Sequence, residues 1–278
     1  MSISVFAVVL AAAALNATWN AVVKGAPDKQ LTTALVTVAA ALIAVVVLPF
    51  LPIPARASWP FLGASVFFQV AFFVLVARTY QIADMSLAYP LMRGLAPLVV
   101  TCVTVIGLGE SLSIAAGIGI ALICAGVLGM TGGVRRGGDA RGVWLALFNA
   151  VVIAGYTLID GAGVRRSETP AAYTLWLCLL TGVPFAAWAL LTRRAVFAAY
   201  AARHWQLGVI GGVGTLASYG LALWAMTRAS VPVVAALRES SILFAMMISV
   251  WVLKEPVGSA RIAAACLIAI GSMALRFG

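Results

Sequence analysis

Charge is scarce in this chain. Its 278 residues include only eight Asp and Glu and a single His, and charged residues make up 9% of the whole. Soluble domains carry about 25%, so a soluble fold is excluded for want of a polar coat. Metal-binding chemistry is scarce too. Cys102, Cys124, Cys178 and Cys266 each lie inside an apolar run at no metal-ligand spacing, and His204 stands alone beside Arg203. The cysteines are read as small hydrophobes, and no metal is expected. No phosphate-binding loop, dinucleotide fingerprint or hydrolase elbow is present, so no cofactor is expected and ATP-driven work by this chain is unsupported. The acids are scattered and His is nearly missing, which leaves no catalytic cluster, so the chain is not read as an enzyme. Its net charge of +10 does not indicate nucleic acid, because the basic residues sit singly or in small groups between apolar runs.

Apolar residues fill that space. They make up 64% of the chain, with a mean hydropathy of +1.10. A spanning helix needs about 20 mostly apolar residues. Breaks at charge, Pro and Gly divide the chain into ten such runs, at residues 4–24, 31–50, 59–79, 86–108, 113–130, 142–162, 170–191, 205–226, 231–253 and 259–277. The first run is too long for a signal-peptide core and has no basic residue before it. The expected fold is an all-α, multi-pass integral membrane protein of ten transmembrane helices, placed in a bacterial inner (plasma) membrane. Short connections predict that consecutive helices are antiparallel neighbours.

The chain also repeats. Arg93, Glu110 and Gly126 recur 145 positions later as Arg238, Glu255 and Gly271, each in matching context. A Gly- and Arg-rich linker at 131–141 separates five runs in 1–130 from five in 142–278. Five crossings are odd, so the second half enters from the opposite face. This predicts two inverted five-helix repeats, a construction common in secondary transporters.

Residues Leu15-Asn16-Ala17-Thr18-Trp19-Asn20-Ala21-Val22-Val23-Lys24 resemble the first-helix motif of the EamA-type carriers of the drug/metabolite transporter (DMT) superfamily. Gly109-Glu110 and Lys254-Glu255 resemble the acidic motif before the last helix of each repeat. Asn16 is a departure, since related members often carry His there. The resemblance implies an exporter of a small metabolite by alternating access, with amino acids, including aromatic ones, the leading substrate class. A phosphorylated or phosphonate-type metabolite is the alternative. The rivals from other classes are an intramembrane enzyme and a non-transporting scaffold. The resemblance also implies cytoplasmic termini, whereas the Lys and Arg distribution, read by the positive-inside rule, places them outside.

Eight residues are the candidate substrate contacts. Arg93 and Arg238 lie within spanning runs, where charge is tolerated facing a bundle interior or wet cavity. There they would receive a carboxylate or phosphate, or else pair structurally with carbonyls or Glu239. Tyr89, Arg93 and Pro97 recur at four-residue spacing on one helix face. Asn16, Trp19 and Asn20 form a polar strip on the first helix, and Tyr80 and Tyr156 supply amphipathic aromatic rings. Gln69, Asn149, Tyr219 and Ser241 are further polar positions. Asp160 and Glu239 are read as the acids inside helices, and proton coupling through Glu239 stands beside neutralisation of an arginine. Glu110 is read as a helix cap. Gly117, Ala121, Ala125 and Gly129 form a small-residue face, as do Gly208 and Gly212, for packing within a monomer or for a homodimer seam. The expected partners are thus a small-molecule substrate and the lipid bilayer, with no nucleic acid.

Overall fold

A computed structural model describes residues 1–24, 26–82, 85–129, 140–251 and 258–277. Among the described residues there are eleven α-helices and no strand. They are α1 (Ile3–Lys24), α2 (Lys29–Val47), α3 (Trp59–Ile82), α4 (Met85–Cys102), α5 (Ile114–Gly129), α6 (Ala140–Arg166), α7 (Pro170–Thr192), α8 (Arg194–Met226), α9 (Val231–Arg238), α10 (Ser241–Trp251) and α11 (Ser259–Phe277). Seven stretches are long and apolar enough to cross a bilayer, and Leu91–Gly107, Ile114–Gly129 and Ile262–Phe277 are shorter apolar helices. Helices suit this setting because each satisfies its own backbone hydrogen bonds, which lipid cannot do. The outside is apolar, with Phe50, Ile106, Ile114 and Leu191 more than four-fifths exposed.

The expected run 231–253 is one span in two helices. The backbone N–H groups of Glu239 and Ser240 bond to the carbonyls of Ala236 and Leu237, three residues back, and this tightened turn separates α9 from α10. The expected run 86–108 ends in a π-helical turn, Val103–Gly107. His204, expected in a loop, lies inside α8 at a kink with φ −122° and ψ 23°. The Ala-rich stretch before it is a strong helix former and extends the helix back to Arg194.

Most helices that are neighbours in sequence make little contact, contrary to expectation, although α4 packs on α5 and α7 on α8. Instead α1 packs on α8 and α3 on α6, while α4 packs on α6 and α1 on α10. The remaining large seams join α2 to α7 and α8, and α5 to α11. Small residues permit these close approaches. A Cβ on Gly126 of α5 would come within 2.8 Å of the Ala264 carbonyl oxygen of α11. Reciprocally, a Cβ on Gly271 of α11 would meet the Gly119 carbonyl oxygen of α5 at 2.7 Å. Gly208 and Gly212 of α8 close on Leu35 and Ala39 of α2. The expected face of Gly117, Ala121, Ala125 and Gly129 is exposed; the α5 seam runs through Gly119 and Gly126 instead.

Contacts between chain ends and connections order the two rims. Arg276 Nη1 donates to the Met1 carbonyl at 2.8 Å, so the two ends of the bundle chain lie on one face. The Ala55 N–H bonds to the Ser167 carbonyl at 3.1 Å. Arg165 donates to the carbonyls of Met226 and Ala229 and lies 3.9 Å from Glu110. Elsewhere the Tyr200 and Thr32 hydroxyls meet at 2.6 Å, beside the start of α2. Gly109 adopts φ +67°, a conformation that disfavours side chains, in the turn that carries Glu110. Glu110 is not the α5 cap, because Ser113 Oγ accepts the Ala116 N–H at 3.1 Å while Glu110 faces Arg165.

Candidate functional site

Two of the sequence's lone charges find each other in the interior. Arg93, on α4, places Nε 3.0 Å from Glu239 Oε2, in the turn after α9, with side chains 14% and 7% exposed. This is a charge-assisted hydrogen bond across the two halves of the chain, of a kind that contributes roughly 1.5–3 kcal/mol. Arg238, one residue before Glu239, takes a different partner. Its guanidinium carbon lies 5.2 Å from the centre of the Tyr219 ring on α8, a cation–π geometry. Among the described residues Arg238 makes no ion pair. Tyr156 of α6, 8% exposed, sits in the field of both arginines and of Glu239. The structure thus brings together Arg93, Arg238 and Tyr156.

A second polar cluster adjoins the first through Tyr219. Asp160 of α6 is fully buried. Its carboxylate accepts from Tyr219 Oη at 2.5 Å, Tyr173 Oη at 3.0 Å and Gln69 Nε2 at 3.4 Å. Gln69 also reaches Ser65 Oγ at 3.3 Å, and its own Oε1 accepts from Thr181 at 3.5 Å. Gly163 makes room for this arrangement, since a Cβ there would collide with the Tyr173 hydroxyl. Among the described residues the hydrogen-bond partners of Asp160 are neutral donors, whereas Glu239 has a cation. Sequence reasoning singled out Gln69, Tyr219 and Asp160 separately and missed Tyr173. The available signal was the spacing of Asn149, Tyr156 and Asp160, seven and four residues apart and so on one face of α6.

The amide strip of α1 stands apart. Trp19 Nε1 donates to Asn16 Oδ1 at 3.2 Å, and Asn20 Nδ2 donates to the Asn16 carbonyl at 2.7 Å, so these bonds stay within the helix. Asn16 is buried and Trp19 packs near Gly214 of α8. Asn149 Nδ2 lies 2.9 Å from Met92 Sδ, while its Oδ1, like Ser240 Oγ, is buried without a hydrogen-bond partner. Tyr80 and Tyr89 fall on α3 and α4, but their side chains lie outside the described residues, as do Lys254 and Glu255 and most of the linker. An open recess of about 440 Å³ beside Ile53, Pro54, Arg56 and Trp59 lies on the rim between α2 and α3, away from the charged centre.

An all-helical bundle with an apolar exterior, several spans and a buried charged centre defines a multi-pass membrane protein. Residues 140–277 match the model of the EamA-like transporter family. The chain belongs to that family, within the drug/metabolite transporter superfamily. A solved structure titled "Crystal structure of protein" aligns with a TM-score of 0.74 at 19% identity, covering 97% of this chain and 94% of that one, and so shares its fold. No curated protein matches the chain.

Proposed function

We propose that the chain is a secondary carrier that moves a small metabolite, an amino acid with aromatic ones included, by alternating access, with export as its working direction. The observation that carries this reading is the buried group of Arg93, Arg238, Glu239 and Tyr156, contributed by both halves of the chain. Arg238 is the receptor for the substrate carboxylate, because Arg93 is already neutralised. The same guanidinium could also receive a phosphate; the resemblance to carriers of this superfamily is what favours an amino acid over a phosphorylated metabolite. Tyr156 and Tyr219 offer ring faces to an apolar side chain. Asn16, Trp19, Asn20, Tyr80 and Tyr89 extend the pathway.

The scaffold of this proposal is ten spans in two inverted repeats, 1–130 and 142–278, joined by 131–141. Counting the split α9–α10 as one, the seven long spans and three short apolar helices make ten. Ten crossings also put Met1 and Arg276 on one face, with Ala55, Glu110, Ser167 and Ala229, and put Thr32 and Tyr200 on the other, in keeping with their contacts. The mirrored contacts Gly126–Ala264 and Gly119–Gly271 support the repeat, since each pair maps onto the other at the 145-residue offset.

The test is counterflow in liposomes. Purified protein is loaded with unlabelled solute on one side, and labelled amino acids or phosphorylated metabolites are supplied on the other. Transient accumulation of an intact labelled amino acid is expected. Accumulation of phosphorylated solutes alone would overturn the substrate class, and chemical conversion of the label would point to an enzyme.

A further inference from the structure

The Asp160 cluster is not used by the substrate reading above, yet it is the most heavily satisfied polar centre among the described residues. Burying a charge is costly unless it is paired and hydrogen-bonded. Asp160 is fully buried, and the side chains that hydrogen-bond to it, Tyr219, Tyr173, Gln69 and Ser65, are neutral. Glu239 differs, since protonating it would break the 3.0 Å pair with Arg93 and leave a buried guanidinium without that pair.

We propose that Asp160 is a proton-binding site whose occupancy is linked through Tyr219 to the anion-binding state of Arg238. This rests on the carrier reading for its purpose, though not for its test. A proton taken from water adds to Asp160 and changes the cluster from charge −1 to 0. Phenolic hydroxyls both donate and accept. In the charged state Tyr219 and Tyr173 donate to the carboxylate. In the neutral state one of them turns its hydrogen away and accepts the new carboxyl O–H. Tyr219 is the shared element, because its hydroxyl meets Asp160 while its ring carries Arg238. Loss of the negative charge behind Tyr219 leaves Arg238 freer to hold an anion. Proton and carboxylate therefore bind with positive linkage, and the linkage is reciprocal. They travel together, and export then runs when the solute gradient outweighs the proton gradient.

The groups facing Asp160 are few. On α7 they are Tyr173 and Cys178, on α8 Tyr219, and on α6 itself Tyr156. On α3 they are the neutral Gln69 and Ser65. Arg238, at the end of α9, acts through the Tyr219 ring, while Arg93 of α4 and Glu239 share the field at Tyr156.

Infrared titration of the full chain in lipid nanodiscs reads the carboxyl C=O stretch without any substrate. A protonated-carboxyl band that titrates reversibly is expected in the wild type, lost in Asp160→Asn and retained in Glu239→Gln. Arg238→Gln and Tyr219→Phe should each move the midpoint of that band, whereas Arg166→Gln, on the rim, should not. Should Asp160→Asn not fold, the Arg238→Gln and Tyr219→Phe shifts decide. A band that survives Asp160→Asn, or a midpoint indifferent to both Arg238→Gln and Tyr219→Phe, would overturn the proposal. In parallel, labelled phenylalanine flux is followed in liposomes with an imposed pH difference. Wild type is expected to accumulate label with the proton gradient, and Asp160→Asn to exchange without that dependence. Absent wild-type flux with the band intact would count against phenylalanine as substrate and leave the proton site standing.

Discussion

Arg93 and Arg238 lie 145 residues apart, at positions the proposed repeat would make equivalent, but their surroundings differ. Arg93 sits in the middle of α4 and is tied to Glu239 at 3.0 Å. Arg238 ends α9, lies on the Tyr219 ring and has no ion pair among the described residues. The difference traces to the residue that follows each arginine. Gly94 lets α4 approach Val127 and Leu128 of α5, with the nearest atom 3.1 Å from where its Cβ would be, and α4 continues. Glu239 instead belongs to the turn that ends α9, and its carboxylate reaches across to Arg93. Thus one arginine is held by a carboxylate and the other lies on an aromatic ring, the contrast on which the proposed role of Arg238 rests.

Breaking the pair is expected to have the largest effect. Glu239→Ala removes the carboxylate that pairs with Arg93, and breaking a buried ion pair typically costs about 3–5 kcal/mol. A marked drop in melting temperature in detergent is expected, with much less loss in the double variant Arg93→Met, Glu239→Leu. An unchanged melt in Glu239→Ala would show that the pair is not a structural tie.

Arg238→Ala should act on binding rather than folding. Loss of a charge-assisted hydrogen bond of roughly 1.5–3 kcal/mol lowers affinity about ten- to a hundredfold. Arg238→Lys should restore it only in part, because lysine lacks the planar fork that grips a carboxylate. Titration of the labelled solute, alongside melting curves, separates the two arginines. Equal stability losses in Arg93→Ala and Arg238→Ala, with equal binding, would erase the contrast.

The glycine seam sharpens the comparison from the opposite side, because there two contacts match at the 145-residue offset. Gly126→Ala and Gly271→Ala each force a methyl group against facing backbone, at a cost of about 1–3 kcal/mol. The two variants should lose similar stability by melting temperature. A strongly unequal loss would argue that the mirrored contacts are incidental.

Asn20→Ala should be the mildest change. Its bond is to a carbonyl of its own helix, and side-chain hydrogen bonds in membrane helices average about 0.6 kcal/mol. Transport should alter by roughly threefold or less, and a complete loss would place Asn20 on the substrate.

The helical spans were legible because an uninterrupted apolar run leaves the backbone one way to bond with itself. Interruptions were harder to read. The Glu239–Ser240 turn, the π-turn at Val103–Gly107 and the kink at His204 depend on how each segment meets its neighbours. Within the chain the α5 seam runs through Gly119 and Gly126, beside the expected stripe rather than along it. Spacing marks which small residues align, and two such stripes alternate around one Gly- and Ala-rich helix.

The site was legible as a set of unusual residues, since each intramembrane charge must find compensation. Arg93, Arg238 and Tyr156 converge, whereas the Asn16, Trp19 and Asn20 strip bonds along its own helix. By itself, the sequence determined that this chain is helical and membrane-embedded, and it marked the residues too polar to face lipid. Those properties are local sums of transfer free energy. Only the tertiary structure decided that Glu239 takes Arg93, that Tyr219 stands between Asp160 and Arg238, and that α1 lies on α8 rather than α2. Pairing is a property of two positions at once, and it is set by which helix faces can approach closely enough to make it.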